Sequence, residues 1–128
     1  MTLEDEIFEY CELYDRPNLE CDGATRVFSW ILRKKNVPHT IMGGRLEYRD
    51  AEIDEPYIVE PHFWIETEQG SIIDFKARMW LPGKDGVPHG VFRAEDYPNV
   101  LYVGEEAKML VCESVFNVLT KGDENEQD

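Results

Sequence analysis

The apolar positions of this chain change period once, and the change divides it into a helical part and an extended part. Over residues 2–14, Leu3, Ile7, Tyr10, Cys11 and Tyr14 recur on one face at helical spacing. Thr2 stands where it can cap that helix, with Asp5 three residues on, and Arg16, Pro17 and Asn18 break it. The spacing of Ala24, Val27, Phe28, Ile31 and Leu32 predicts a second helix over residues 21–35. Arg33, Lys34 and Lys35 suit its negative C-terminal end, and Asn36 and Pro38 close it. From His39 onward the pattern is strand-like: residues 39–48, with a bend at Gly43-Gly44, then 57–67, then 71–75. Glu68, Gln69 and Gly70 form the turn between the last two. Residues 76–98 hold Pro82-Gly83, Asp85-Gly86, Pro88 and Gly90, and read as a long surface loop with little regular structure. A short strand over 100–103 and a closing helix over 105–119 complete the order, and no internal repeat is visible. Helices first and an antiparallel meander after them predict an α+β fold, with the N-terminal helices packed on a small antiparallel sheet. We expect one domain over residues 1–120 and an acidic, disordered tail over 121–128.

Composition narrows the function classes. The 128 residues are 42% hydrophobic, enough for a modest core. Acids outnumber bases 27 to 13, a net charge of −14. Proteins gain affinity for nucleic acid by neutralising phosphates with Lys and Arg, so direct binding to DNA, RNA or an anionic membrane is disfavoured. Solubility is the plain reading of the charge, and an acidic surface that meets a basic partner is the sharper one. No apolar run is long enough to cross a bilayer, and the opening MTLEDEIFEY lacks the regions of a signal peptide. Cys11, Cys21 and Cys112 are odd in number and irregular in spacing, which argues against a disulfide framework and for a reducing, cytoplasmic setting. No C-x-x-C or H-E-x-x-H spacing occurs, so neither a metal nor any other cofactor is expected.

One cysteine is placed for chemistry. Cys21 opens the second helix, where backbone N–H groups without helical partners favour the thiolate. Asp22 beside it works the other way. Cys11 and Cys112 fall inside predicted helices, as small core residues do. His62 lies in the second strand between Pro61 and Phe63, and Asp74 lies in the third. A three-residue loop at 68–70 sets Thr67 against Ser71 and puts even-numbered residues on one face. Asp74 then opposes Trp64 and lies diagonally from His62, within reach of its ring. Such a carboxylate fixes an imidazole's tautomer and stabilises its cation. His39 and His89 follow prolines, and their places suggest no role in this set.

These parts, in this order, resemble the transglutaminase-like branch of the papain-like cysteine enzymes. In that pattern a cysteine opens a helix with a small residue one turn in, an apolar face and a leucine-arginine near the end. A turn and a strand ending at glycine follow. Ala24, Phe28, Leu32-Arg33, Asn36-Val37-Pro38 and Gly43 fill those places. The segment from His62 to Asp74, with its aromatic, acid, glycine turn and apolar return, resembles the family's histidine and aspartate strands. Trp64 and Glu66 match this pattern as strand residues. The two blocks span residues 21–75. The resemblance implies a papain-like core, Cys21 as nucleophile, His62 as base and Asp74 as its orienting group. It also implies attack on an amide or ester of a protein or peptide through a thioester. Glu20, where a small residue is usual, and Phe75, where proline is common, depart from the pattern. So does the small size of the domain relative to protein-crosslinking transglutaminases.

A second oxyanion donor beside the Cys21 N–H is needed, and Asn18 is the nearest amide side chain, although beside Pro17 it also suits a turn. The loop 76–98 carries Met79, Trp80, Leu81, Val87, Val91 and Phe92. It either folds back as a lid on the core or forms a wall of the acyl-donor cleft, with Trp80 or Phe92 against the substrate. Peptidase, glutamine deamidase and transamidase share the first half-reaction and are not separated by these residues. The competing class is a non-catalytic acidic adaptor or inhibitor of a basic protein.

Overall fold

The structure is a computed structural model that describes residues 1–125. Helix α1 (Leu3–Glu12) begins with a reciprocal cap: Asp5 N–H donates to Thr2 Oγ1 and Thr2 N–H to Asp5 Oδ2, both at 3.1 Å. Helix α2 (Cys21–Lys34) ends at Asn36, whose φ of 59° places it in the left-handed region. There Val37 N–H donates to Leu32 O at 2.9 Å and Asn36 N–H to Arg33 O at 3.1 Å. This double bond satisfies carbonyls the helix leaves open and turns the chain into the sheet.

Strands β1 (His39–Tyr48), β2 (Tyr57–Thr67), β3 (Ile72–Asp74), β4 (Gly90–Phe92) and β5 (Val100–Glu106) form one antiparallel sheet in the order β4-β3-β2-β1-β5. A short helix α3 (Ala77–Trp80) follows β3, a 3-10 turn (Ala94–Asp96) follows β4, and α4 (Glu113–Asn125) comes last. The fold is therefore α+β, with four helices and a five-stranded antiparallel sheet among the described residues.

Two segments differ from the sequence expectation. Residues 76–98 are not one irregular loop, because they contain α3, β4 and the 3-10 turn. Residues 105–106 are extended, since Glu105 and Glu106 pair with Gly43 and Met42, and the last helix starts at Glu113. That helix continues through Asn125, into the segment expected as a tail, and residues 126–128 lie outside the described residues.

One face of the sheet carries Ile41, Ile65, Ile73 and Phe75 against Ile7, Cys11, Val27, Phe28, Ile31 and Leu32 of α1 and α2. The other face gathers Trp64, Ile72 and Phe92 with Met42, Tyr97 and Tyr102. Phe92 and Tyr102 belong to the two edge strands, yet their ring centroids are 5.9 Å apart. Strands lie about 4.8 Å apart, so four intervals on a flat sheet would separate the edges by roughly 19 Å. The sheet is therefore strongly curled around this aromatic cluster. Gly44 and Gly104 face each other across β1 and β5, where an added Cβ would stand 2.1 Å from Val103 O and 2.3 Å from Gly43 O, respectively. Only glycine lets the two backbones approach so closely.

Candidate active site

The turn at 68–70 decides which side chains of β2 and β3 meet. Thr67 N–H donates to Ser71 O at 2.9 Å, Gly70 takes a φ of 90°, and Ile65 and Glu66 pair with Ile73 and Ile72. Continuing that register by one residue sets Asp74 opposite Trp64, with His62 diagonal to it. His62 Nε2 is 2.7 Å from Asp74 Oδ2, and His62 is completely buried. Just before His62 the β1–β2 pairing steps from Gly44–His62 to Leu46–Val59, which leaves one extra residue on β2. Such bulges re-aim neighbouring side chains and are frequent beside functional sites.

The β2–β3 ladder stops at Ile65–Ile73, so among the described residues the first half of β2 has no strand beside it on that edge. Helix α2 packs against β2. Cys21, the first residue of that helix, lines a cleft of about 520 Å³ together with Glu20, Asp22, Ile58, Glu60, Phe63 and Trp80. With Nε2 held by Asp74, Nδ1 is the ring nitrogen left for the thiol. It is buried and meets no partner at regular hydrogen-bond geometry, although Cys21 lies near enough to act on the ring. The thiol–imidazole contact is thus looser than the imidazole–carboxylate bond. Burial opposes the charge on His62, but the Asp74 and Cys21 contacts and their negative charges outweigh it and raise the imidazole from 6.5 to about 9.

Asp74 accepts two further hydrogen bonds, from Tyr102 O–H at 2.8 Å on Oδ2 and from Lys76 N–H at 2.8 Å on Oδ1. Burial, then the Asp74 charge, pushes the Tyr102 phenol well above its usual range. The buried Lys76 ammonium reaches Asp15 Oδ1 and Arg16 O, both at 2.7 Å. That link ties the segment after Asp74 to the turn before Cys21, and so fixes the two halves of the site relative to each other. Neither Tyr102 nor Lys76 was evident as a site residue in the sequence. Lys76 offered one signal, its position two residues past Asp74; Tyr102 offered none.

The structure thus brings Cys21, His62 and Asp74 together and sets Trp80 in the same cleft, 46% exposed. It does not bring the other named residues there. Phe92 is buried against Tyr97 and Tyr102 inside the curled sheet, and is no wall of the cleft. Asn18 is exposed in the turn closed by Leu19 N–H and Arg16 O, and does not line the cleft. His39 bonds Ser29 Oγ at 2.6 Å and Val37 O at 2.8 Å, and His89 packs edge-on against Phe75. Cys11 is buried and Cys112 half-buried. Burial, then Asp15, raises the Cys11 thiol far above its ordinary range. Among the described residues no group of three His, Cys, Asp or Glu side chains is arranged to hold a metal ion, and no helix is long and apolar enough to cross a membrane. Comparisons found no matching family model, curated protein or solved structure.

Proposed function

We propose that this chain is a thiol-dependent enzyme acting on amide bonds of proteins or peptides, built on a transglutaminase-like core. The observation that carries the reading is the buried His62–Asp74 pair whose ring is acted on by a cysteine that opens a helix on a cleft. Cys21 as thiolate adds to the carbonyl carbon of the substrate, forming a C–S bond and an oxyanion. The Cys21 backbone N–H, which the helix leaves without a partner, is a donor for that oxyanion. The oxyanion collapses, the C–N bond breaks, and the amine leaves with the proton of the His62 imidazolium. Water or a second amine then gives its proton to His62, attacks the thioester and frees Cys21. Asp74 holds the ring and stabilises its cation throughout.

The test is the pH dependence of Cys21 alkylation by iodoacetamide, mapped by peptide mass spectrometry. Rapid labelling that persists below the ordinary thiol range and is lost only in acid supports the reading. Sluggish labelling that rises only near pH 8–9 refutes it and favours a non-catalytic acidic binder. Incubation with a protein extract then sorts cleavage, one-dalton deamidation and crosslinking.

A further inference from the structure

Building on the thiol-enzyme reading, we infer that the cleft selects a cationic substrate: a peptide with lysine or arginine next to the amide that Cys21 attacks. Three carboxylates, Glu20, Asp22 and Glu60, line the cleft with Cys21, and no lysine or arginine does among the described residues. Glu20 occupies the N-cap of α2, and its side chain makes no cap bond to the helix. Its carboxylate is left for the cleft. Asp22 Oδ1 accepts the neighbouring Gly23 N–H at 2.8 Å, and Oδ2 remains. The indole of Trp80 adds an exposed aromatic face, the partner a desolvated ammonium or guanidinium prefers. Cys21 lines this cleft and acts on the fully buried His62 ring, so the reacting carbonyl must arrive at Cys21. The carboxylates therefore stand next to the bond that would break, where a basic side chain of the acyl donor would meet them.

The test compares two acyl donors of similar shape, the benzyl thioesters of N-acetyl-lysine and N-acetyl-norleucine. In each, Cys21 forms a new C–S bond and benzyl thiolate leaves, and its release is followed by colour, with Cys21→Ala as the blank. We expect the lysine donor to react roughly tenfold faster at about 10 mM salt, with the preference shrinking at high salt. In the triple variant E20Q/D22N/E60Q the ratio should fall to that of free cysteine. Both donors share one nucleophile, so a change in its ionisation cancels in the ratio. Equal rates for the two donors overturn this inference and leave the thiol-enzyme reading standing. Reaction with neither overturns the thiol-enzyme reading. The charge preference is then read from cationic and anionic methanethiosulfonates at Cys21, with Cys112 as the internal reference. A preference at Cys21 no greater than at Cys112 overturns the inference as well.

Discussion

Replacing Asp74 by Asn keeps the shape of the side chain and removes the charge that holds His62. In the native chain His62 is raised from 6.5 to about 9, which corresponds to ~3 kcal/mol of stability where both native and unfolded imidazoles are protonated. Because the native value lies above the unfolded one, that contribution is complete below about pH 6.5. It declines as pH rises, to ~2 kcal/mol near pH 7.5, and is gone once pH has passed through about 9. A second cost is independent of pH. His62 and Tyr102 both donate to Oδ2 and Lys76 N–H donates to Oδ1. An amide offers a single oxygen, so one of these buried donors must face an NH₂ group, at a cost of about 1–3 kcal/mol. Urea denaturation of both proteins at pH 6, 7.5 and 10, followed by circular dichroism, separates the two costs. The stability gap should be largest at pH 6 and narrow toward pH 10 by the share of the ~3 kcal/mol that Asp74 supplies, Cys21 keeping the rest. A gap that stays constant over that range would falsify the assignment of a charged His62 held by Asp74.

Three further substitutions probe the surroundings. Trp80→Ala should lower the rate of Cys21-dependent turnover while shifting the melting temperature by only a few degrees, because the indole is 46% exposed. A loss in the ~3–5 kcal/mol range of a fully buried tryptophan would make it a core residue instead. Lys76→Met should strand the Asp15 carboxylate and loosen the turn before Cys21. We expect a loss of about 2–4 kcal/mol in urea melts, together with slower Cys21 alkylation per folded molecule; unchanged alkylation would separate Lys76 from the site. Tyr102→Phe keeps the ring against Trp64 but removes the O–H bond to Asp74. It should cost about 1.5–3 kcal/mol, and a neutral outcome would mean that water or another donor replaces the phenol.

Much of the framework was readable because local rules decide it. The Thr2–Asp5 cap, the opening of α2 at Cys21, the bounds of β1 and β2, and the turn at Gly70 each depend on neighbours a few residues apart. The diagonal placement of His62 and Asp74 followed from that turn alone. The rest depends on pairing between distant segments. Residues 105–106 look helical by composition but are extended because β1 offers an edge, with Ala107 N–H donating to Ile41 O at 2.9 Å. Within 76–98, β4 exists because β3 needs a partner at its outer edge, and the apolar residues of that stretch divide accordingly. Leu81 and Val87 enter the core near Tyr48, Phe92 enters the curled sheet, and only Trp80 reaches the cleft. Tyr102 gave no signal and Lys76 only its place two residues past Asp74, since their roles arise from curvature and chain crossing.

The close approach at Gly44 and Gly104 has a consequence for how this site could be lost or kept over generations. A single methyl group at either position would meet backbone, which cannot yield as a side chain can. The curl it would relax is what lets Tyr102, on one edge strand, reach Asp74 across two intervening strands. A chance change more than twenty residues from every member of the Cys21–His62–Asp74 set, or at Gly44 eighteen residues from His62, could therefore open the pocket to water without altering any of them. Because each added Cβ would meet backbone rather than the other residue's side chain, a change at one glycine does not make room for a change at the other, and both positions should stay glycine wherever this curl is kept.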